Sequence, residues 1–313
     1  MRVAVTGAGG RLGRALVSAL EEAPFAGPFG PITWGREAFD LDAPAGIGDL
    51  IDRDGVETVV HAAAWTDVDG CARDPALALA RNGTATGVLA AACAARGIDL
   101  IVVSTNEVFD GRRTDGRGYG PADQAAPLNP YGVSKLAGER EAADAYAGSS
   151  TASALGIVRT AWLFGPPDND FPAKILAAAD RSSVSGEPFR VVADEAGSPT
   201  YSHDLAEGIV ELIGGAAVDG IHHIVNGGTA SRADWARELL RQARLDVPIV
   251  DVPASTWERA SRPPAWGVLA PTPLPGGEPL RSWPQALADY LPTLLRQRTA
   301  TRAVAGSATE ARP

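Results

Sequence analysis

Short runs of β-branched residues alternate with Ala- and Leu-rich stretches through the first half of the chain. Val3–Thr6, Pro31–Trp34, Thr58–Ala62, Leu100–Ser104 and Gly156–Arg159 have the length and composition of strands. Arg11–Glu22, Gly46–Arg53, Pro75–Arg96 and Pro130–Ala147 read as helices, the third with Ala and Leu at three- and four-residue spacing. Strands alternating with helices of this size predict right-handed βαβ units, and so a parallel sheet covered by helices on both faces.

Beyond Phe164 the segments shorten and Pro and Gly become frequent, as in Gly165-Pro166-Pro167, Pro199, Pro263-Pro264 and Pro271 to Pro275. This predicts a smaller, irregular second domain. One helix (His203–Gly214) and one strand (Ile221–Val225) within it are regular enough to return to the main sheet. The expected division is 1–165 for the sheet domain with 201–225 returning to it, 166–200 and 226–296 for the second domain, and a disordered tail at 297–313. No internal repeat is visible.

With 313 residues, 45% of them hydrophobic, the chain can bury a sizeable core. Its net charge of −10 argues against a nucleic-acid partner, which calls for a basic stripe. The arginines at 296, 298 and 302 read as part of a solvated tail. A small nucleotide needs no basic surface, because a glycine loop at a helix N-terminus binds phosphate through backbone amides. Cys71 and Cys93 lack metal-ligand or Cys-x-x-Cys spacing, so no metal site and no disulfide framework is expected. The chain enters a strand at once, without room for a signal peptide, and no apolar run approaches the ~18 residues of a membrane span. The expectation is a cytoplasmic enzyme or binding protein with no membrane partner.

Gly7-Ala8-Gly9-Gly10-Arg11-Leu12-Gly13 follows the first strand and opens a helix. There the backbone must turn tightly and approach a pyrophosphate seated on helix amides. The spacing is Gly-x-x-Gly-x-x-Gly at 7, 10 and 13, not the common Gly-x-Gly-x-x-Gly fingerprint, because position 12 is Leu where that pattern has its third glycine. Its place between strand and helix points to nucleotide binding rather than a plain turn. After the second strand an NAD site wants an acid for the ribose 2′-hydroxyl, but the stretch reads Thr33-Trp34-Gly35-Arg36. Arg36 suits a 2′-phosphate instead, which tilts the reading to NADPH, with NADH the alternative; the same arginine also fits a plain surface position.

Asn129-Pro130-Tyr131-Gly132-Val133-Ser134-Lys135 sets Tyr131 and Lys135 one turn apart on one face of a helix that Pro130 can start. An unperturbed phenol, near pKa ~10, is a poor acid at neutral pH, and a neighbouring ammonium is expected to lower that value. Tyr-x-x-x-Lys alone is commonplace; a dinucleotide loop upstream gives it weight. The preceding strand ends Val103-Ser104-Thr105, at the carboxyl edge where doubly wound sheets bind ligands. A hydroxyl there can hold a substrate carbonyl. Hydroxyl, phenol and ammonium together suit hydride transfer to a ketone.

These residues resemble the extended short-chain dehydrogenase/reductase superfamily and, within it, the dTDP-4-dehydrorhamnose reductase family. The resemblance covers about residues 1–290. It rests on the loop at 7–13, on His61-Ala62-Ala63-Ala64-Trp65-Thr66-Asp67-Val68-Asp69, on Asn82, on Ser104 to Gly111, on Pro127 to Glu139, on Arg159-Thr160-Ala161-Trp162, on Asn169-Asp170-Phe171 and on Asp194 to Thr200. Arg262-Pro263 and Trp283–Leu291 resemble the family's ending. It implies a Rossmann-like α/β fold, a doubly wound parallel sheet binding NAD(P), with a smaller C-terminal substrate domain. It implies that Thr105 holds a C4 carbonyl, Tyr131 protonates its oxygen, and Lys135 supports Tyr131 and the cofactor ribose. Gly7, Gly10, Arg11, Leu12 and Gly13 would line the pyrophosphate, Asp40 and Leu41 the adenine, and Ala62, Ala63 and Ala64 the middle of the cofactor. Trp162, with Thr105, Asn106 and Glu107, would meet the nucleotide-linked 4-keto-6-deoxyhexose that the family reduces. A homodimer is compatible with the resemblance.

Asn106-Glu107 departs from the family's Asp-Tyr, and Asp194-Glu195-Ala196-Gly197-Ser198-Pro199-Thr200 from its Asp-Gln-x-Gly-x-Pro-Thr. Thr105-Asn106-Glu107 also resembles the Thr-Asp-Glu of nucleotide-sugar 4,6-dehydratases. Asn106 has no carboxyl proton to give, so a lyase or epimerase ranks second. A non-catalytic NADP-binding regulatory subunit ranks third, because Thr105, Tyr131 and Lys135 are all present. His61, His203, His222 and His223 lack metal-ligand spacing, and Trp257, Trp266 and Trp283 read as packing residues.

Overall fold

The computed structural model describes residues 1–28, 30–167 and 169–310. The first half runs β1 (Val3–Thr6), α1 (Arg11–Glu21), β2 (Ile32–Trp34), α2 (Ile47–Asp54), β3 (Thr58–His61), α3 (Val68–Arg73), α4 (Pro75–Ala78), α5 (Ala85–Ala94), β4 (Asp99–Thr105), α6 (Pro130–Ala147) and β5 (Leu155–Thr160). The helix expected over Pro75–Arg96 is interrupted by a π-helical turn at Leu79–Thr84, which carries Asn82. Then come β6 (Leu163–Phe164), α7 (Phe171–Ser185), β7 (Phe189–Val192), β8 (Ala196–Gly197), β9 (Thr200–Tyr201), α8 (Ser202–Gly214) and β10 (Gly220–His223). The chain closes with β11 (Ala230–Ser231), α9 (Arg232–Gln242), β12 (Ile249–Val252), β13 (Trp266–Gly267) and α10 (Trp283–Glu310).

Six strands form one parallel sheet in the order β10-β5-β4-β3-β1-β2. The order reverses beside β1, the switch point at which doubly wound sheets open a ligand crevice. Burial on both faces explains the apolar runs: every residue of β1 and β3 is buried. On one face Leu12, Leu16 and Leu20 of α1 pack with Leu205, Ile209 and Leu212 of α8. On the other, Ile51, Leu89, Cys93 and Ala142 bring α2, α5 and α6 onto the sheet. The segment α8–β10 thus returns to the main sheet.

A second apolar cluster joins Phe164, Leu176, Trp235, Leu239, Leu287 and Tyr290 outside the sheet layers. Its small sheets order β11-β8-β13 and pair β12 with β7. The tail expected to be disordered is helical through Glu310 in α10, while 311–313 lie outside the described residues. At the start of that stretch Arg298 binds the Asp180 carboxylate of α7. No helix among the described residues is long and apolar enough to cross a membrane.

Candidate active site

The loop after β1 has the shape a phosphate needs. Gly7 sits at φ +65°, and a Cβ there would fall 2.8 Å from the Ala63 Cα. A Cβ on Gly13 would lie 2.2 Å from the Gly7 carbonyl oxygen, so only glycine lets α1 start this close. No side chain caps α1 and no acid occupies its first turn, which leaves its amide end open to an anion.

A cavity of about 410 Å³ opens over this loop. Of the expected cofactor residues, Gly7, Gly10, Arg36, Asp40, Leu41, Ala62, Ala63 and Ala64 line it together. Leu12 points into the core under α1, and the Arg11 side chain turns away. Arg11 donates to the Pro167 carbonyl at 2.8 Å, binds Asn169 and pairs with Asp170 at 3.5 Å. Arg11 and Leu12 thus offer only backbone to a pyrophosphate. Asp42 and Arg81 also line the cavity and were missed, because their separation of 39 positions hides their pairing.

A buried chain of hydrogen bonds sets the Ala62–Trp65 wall. Thr86 donates to the Asn82 carbonyl at 2.8 Å, so it accepts from His61 Nε2 at 3.1 Å. His61 Nδ1 then accepts from Thr6, 2.8 Å away, and Thr6 Oγ1 accepts from the Ala63 amide at 3.1 Å. Burial, helped by Lys135, drives the His61 pKa down to about 3, so the ring is neutral. The Asn82 side chain grips both backbone groups of Trp65 and donates to Ser134 of α6 at 3.1 Å.

Asn129 caps α6 by accepting from the Gly132 amide at 2.8 Å. Its amide donates to Glu107 at 2.6 Å and to the Arg262 carbonyl at 3.1 Å. A Cβ on Gly132 would fall 2.1 Å from the Glu107 carbonyl oxygen, so glycine is what brings the helix against the end of β4. Tyr131 and Lys135 are both buried. Burial first, then the Glu107 charge, pushes the Tyr131 phenol above its ordinary value, and a hydrogen bond from Thr105 opposes this. The lowering expected from Lys135 does not appear; desolvation and Glu107 raise the phenol instead. Burial also pulls Lys135 down to about 8, against the pull of Glu139. Glu139 is itself bound by Ser104 at 2.5 Å and by Arg159 at 2.6 and 3.0 Å.

Comparison with known proteins decides the family. The model of the RmlD substrate binding domain family matches residues 1–296. The chain belongs to that family. A dTDP-4-dehydrorhamnose reductase of Mycobacterium tuberculosis is 35% identical over 93% of this chain and 92% of that protein. A dTDP-4-keto-6-deoxy-D-glucose reductase of Streptomyces niveus is also 35% identical, over 93% of this chain and 96% of that protein. Among solved structures, dTDP-4-dehydrorhamnose reductase of Bacillus anthracis in complex with NADP is similar, with TM-score 0.81 and 28% identity. It covers 92% of this chain and 98% of that one.

In this RmlD-family chain the second unit gathers aromatic and charged side chains around Trp162. Trp162 follows β5 with φ 44°, a strained conformation for a bulky residue, and stacks on Trp235 at 6.0 Å. Arg232 lies 3.6 Å over the Trp162 ring. Burial lowers its guanidinium to about 10, opposed by the charges of Glu195 and Glu107. Nothing in the sequence flagged Arg232, because its meeting with Trp162 is purely tertiary. Asn106 is buried and donates to the Gly267 carbonyl of β13 at 3.0 Å, a tie between the two units. Glu107 is partly buried, and burial raises its pKa while Asn129, Arg232 and Arg259 oppose.

Proposed function

We propose that this chain reduces the C4 ketone of a nucleotide-linked 4-keto-6-deoxyhexose, as a dTDP-4-dehydrorhamnose reductase-like oxidoreductase that uses NADPH. The observation that carries the reading is the Thr105–Tyr131 hydrogen bond with Lys135 buried one turn along α6, in a chain that also has an open phosphate-loop cavity and is 35% identical to named reductases of such ketosugars. The cofactor fits because Gly7 and Gly13 leave a cradle that a Cβ would fill and the amide end of α1 carries no cap. Gly7, Gly10 and the backbone of Arg11, Leu12 and Gly13 would hold the pyrophosphate, Asp40 and Leu41 the adenine, Arg36 the adenosine ribose end and Ala62 to Ala64 the middle. When bound, the nicotinamide supplies the hydride.

In the proposed reaction Thr105 orients the carbonyl and Tyr131 gives its phenolic proton to the carbonyl oxygen as hydride reaches carbon. A phenol pushed above its ordinary value is protonated at neutral pH, the state a proton donor needs. Lys135, at about 8, keeps most of its charge at pH 7 and supports the phenol and ribose. Trp162, Asn106 and Glu107 bound the sugar site. We assign residues 1–165 with 201–225 to cofactor binding, and 166–200 with 226–296 to substrate binding. Incubation with a panel of nucleotide ketosugars should consume one NADPH per ketone reduced. Product formed without net NADPH consumption would point to a lyase or epimerase. Cofactor binding without turnover of any ketosugar would point to a binding module.

A further inference from the structure

The far end of the cofactor cavity carries two guanidiniums and two carboxylates. Arg81 binds Asp42 through Nε at 2.6 Å and Nη2 at 2.7 Å, while its carbon lies 5.1 Å over the Trp65 ring. That fork-to-carboxylate pair, backed by an aromatic face, pins Arg81 and Asp42 to each other. The Asp42 carboxyl lies below the ordinary range chiefly through Arg81. Asp42 is placed further by its own amide, which donates to Asp40 at 3.0 Å.

Arg36 joins this group more loosely. Its side chain is 75% exposed, 3.1 Å from Asp42 and a longer 3.5 Å from Asp40. It stands just past β2, where the adenosine ribose lies in doubly wound dinucleotide sites. Two cations and two anions leave no net charge for a phosphate. A ribose 2′-hydroxyl carries no charge that would compete for Arg36, whereas a 2′-phosphate must take Arg36 away from Asp42.

We infer that Asp42, pinned by Arg81, determines cofactor preference by competing with the 2′-phosphate of NADP(H) for Arg36. The inference rests on the dinucleotide reading of this cavity. Calorimetric titration of the full-length chain with NADP⁺ and with NAD⁺ tests it without turnover. Asp42→Asn should tighten NADP⁺ by about threefold to fivefold, the scale of an exposed ion pair, and move NAD⁺ by less than about twofold. Asp42→Ser should do the same. In an Arg36→Ala background Asp42→Asn should leave NADP⁺ affinity unchanged. Equal changes for both nucleotides, or an Asp42→Asn effect that survives loss of Arg36, would overturn the inference while leaving the proposed reaction intact. A wild-type chain that binds neither nucleotide would overturn both.

Discussion

Glu139→Gln should damage the protein in two separable ways. Glu139 and Arg159 are each 4% exposed at their side chains and share two hydrogen bonds. The Ser104 hydroxyl takes a further lone pair of Glu139, and Arg159 Nη1 is already buried without a partner. Neutralising the carboxylate strands the guanidinium, a loss of ~3–5 kcal/mol. At about 2 °C per kcal/mol for a chain of this size, melting should fall by roughly 6–10 °C. The second effect is on Lys135, whose ammonium Glu139 supports against burial. If activity needs that ammonium, kcat/KM falls as pH rises through about 8, and the variant's limb moves to lower pH. Glu139→Leu with Arg159→Met should recover much of the melting temperature, because paired apolar replacements remove both charges. It should not restore the limb. An unchanged limb in Glu139→Gln would refute the coupling to Lys135, and an unchanged melting temperature would refute the ion-pair reasoning.

Other outcomes follow from the same contacts. Thr105→Val removes the hydroxyl proposed to hold the ketone and should lower kcat/KM by about 10²-fold in steady-state assays, with melting down by a few degrees as the Glu107 amide loses its acceptor. Gly132→Ala would drive a Cβ to 2.1 Å from the Glu107 carbonyl oxygen, and should cost ~1–3 kcal/mol in urea unfolding as α6 backs away from β4. Burial holds His61 at about 3 and His223 at about 4, both below the ~6.5 of an unfolded histidine. The unfolded chain therefore binds more protons between these values, so stability falls as pH drops below ~6.5, by ~2 kcal/mol per histidine at pH 5. His61→Asn should remove about half of that decline in urea titrations at pH 7 and pH 5.

What the sequence made legible was whatever local periodicity controls. β1 to β5 with α1, α2, α5 and α6 follow from alternating β-branched and Ala/Leu runs, and Pro130 marks the start of α6, whereas α3 and the π-helical turn before α5 were not foreseen. The glycine spacing foretold the tight turn after β1, because only glycine tolerates the Gly7–Ala63 approach. Contacts between distant segments stayed hidden. Arg81 and Asp42 are 39 residues apart, and Arg232 reaches Trp162 only through the second core. Desolvation was equally invisible, so Lys135 was expected to lower a phenol that burial and Glu107 in fact raise. The contact of Arg298 escaped because its partner Asp180 lies 118 residues away.

The central claim is that Tyr131 protonates a sugar ketone while NADPH is consumed. The direct test is single-turnover reduction of a dTDP-4-keto-6-deoxyhexose by wild type and by Tyr131→Phe, with NADP⁺ affinity and melting measured in parallel. The account predicts NADPH oxidation by wild type and a loss of roughly 10²–10⁴ in rate for the variant, with little change in affinity. A Tyr131→Phe chain that reduces the ketone at the wild-type rate would contradict it.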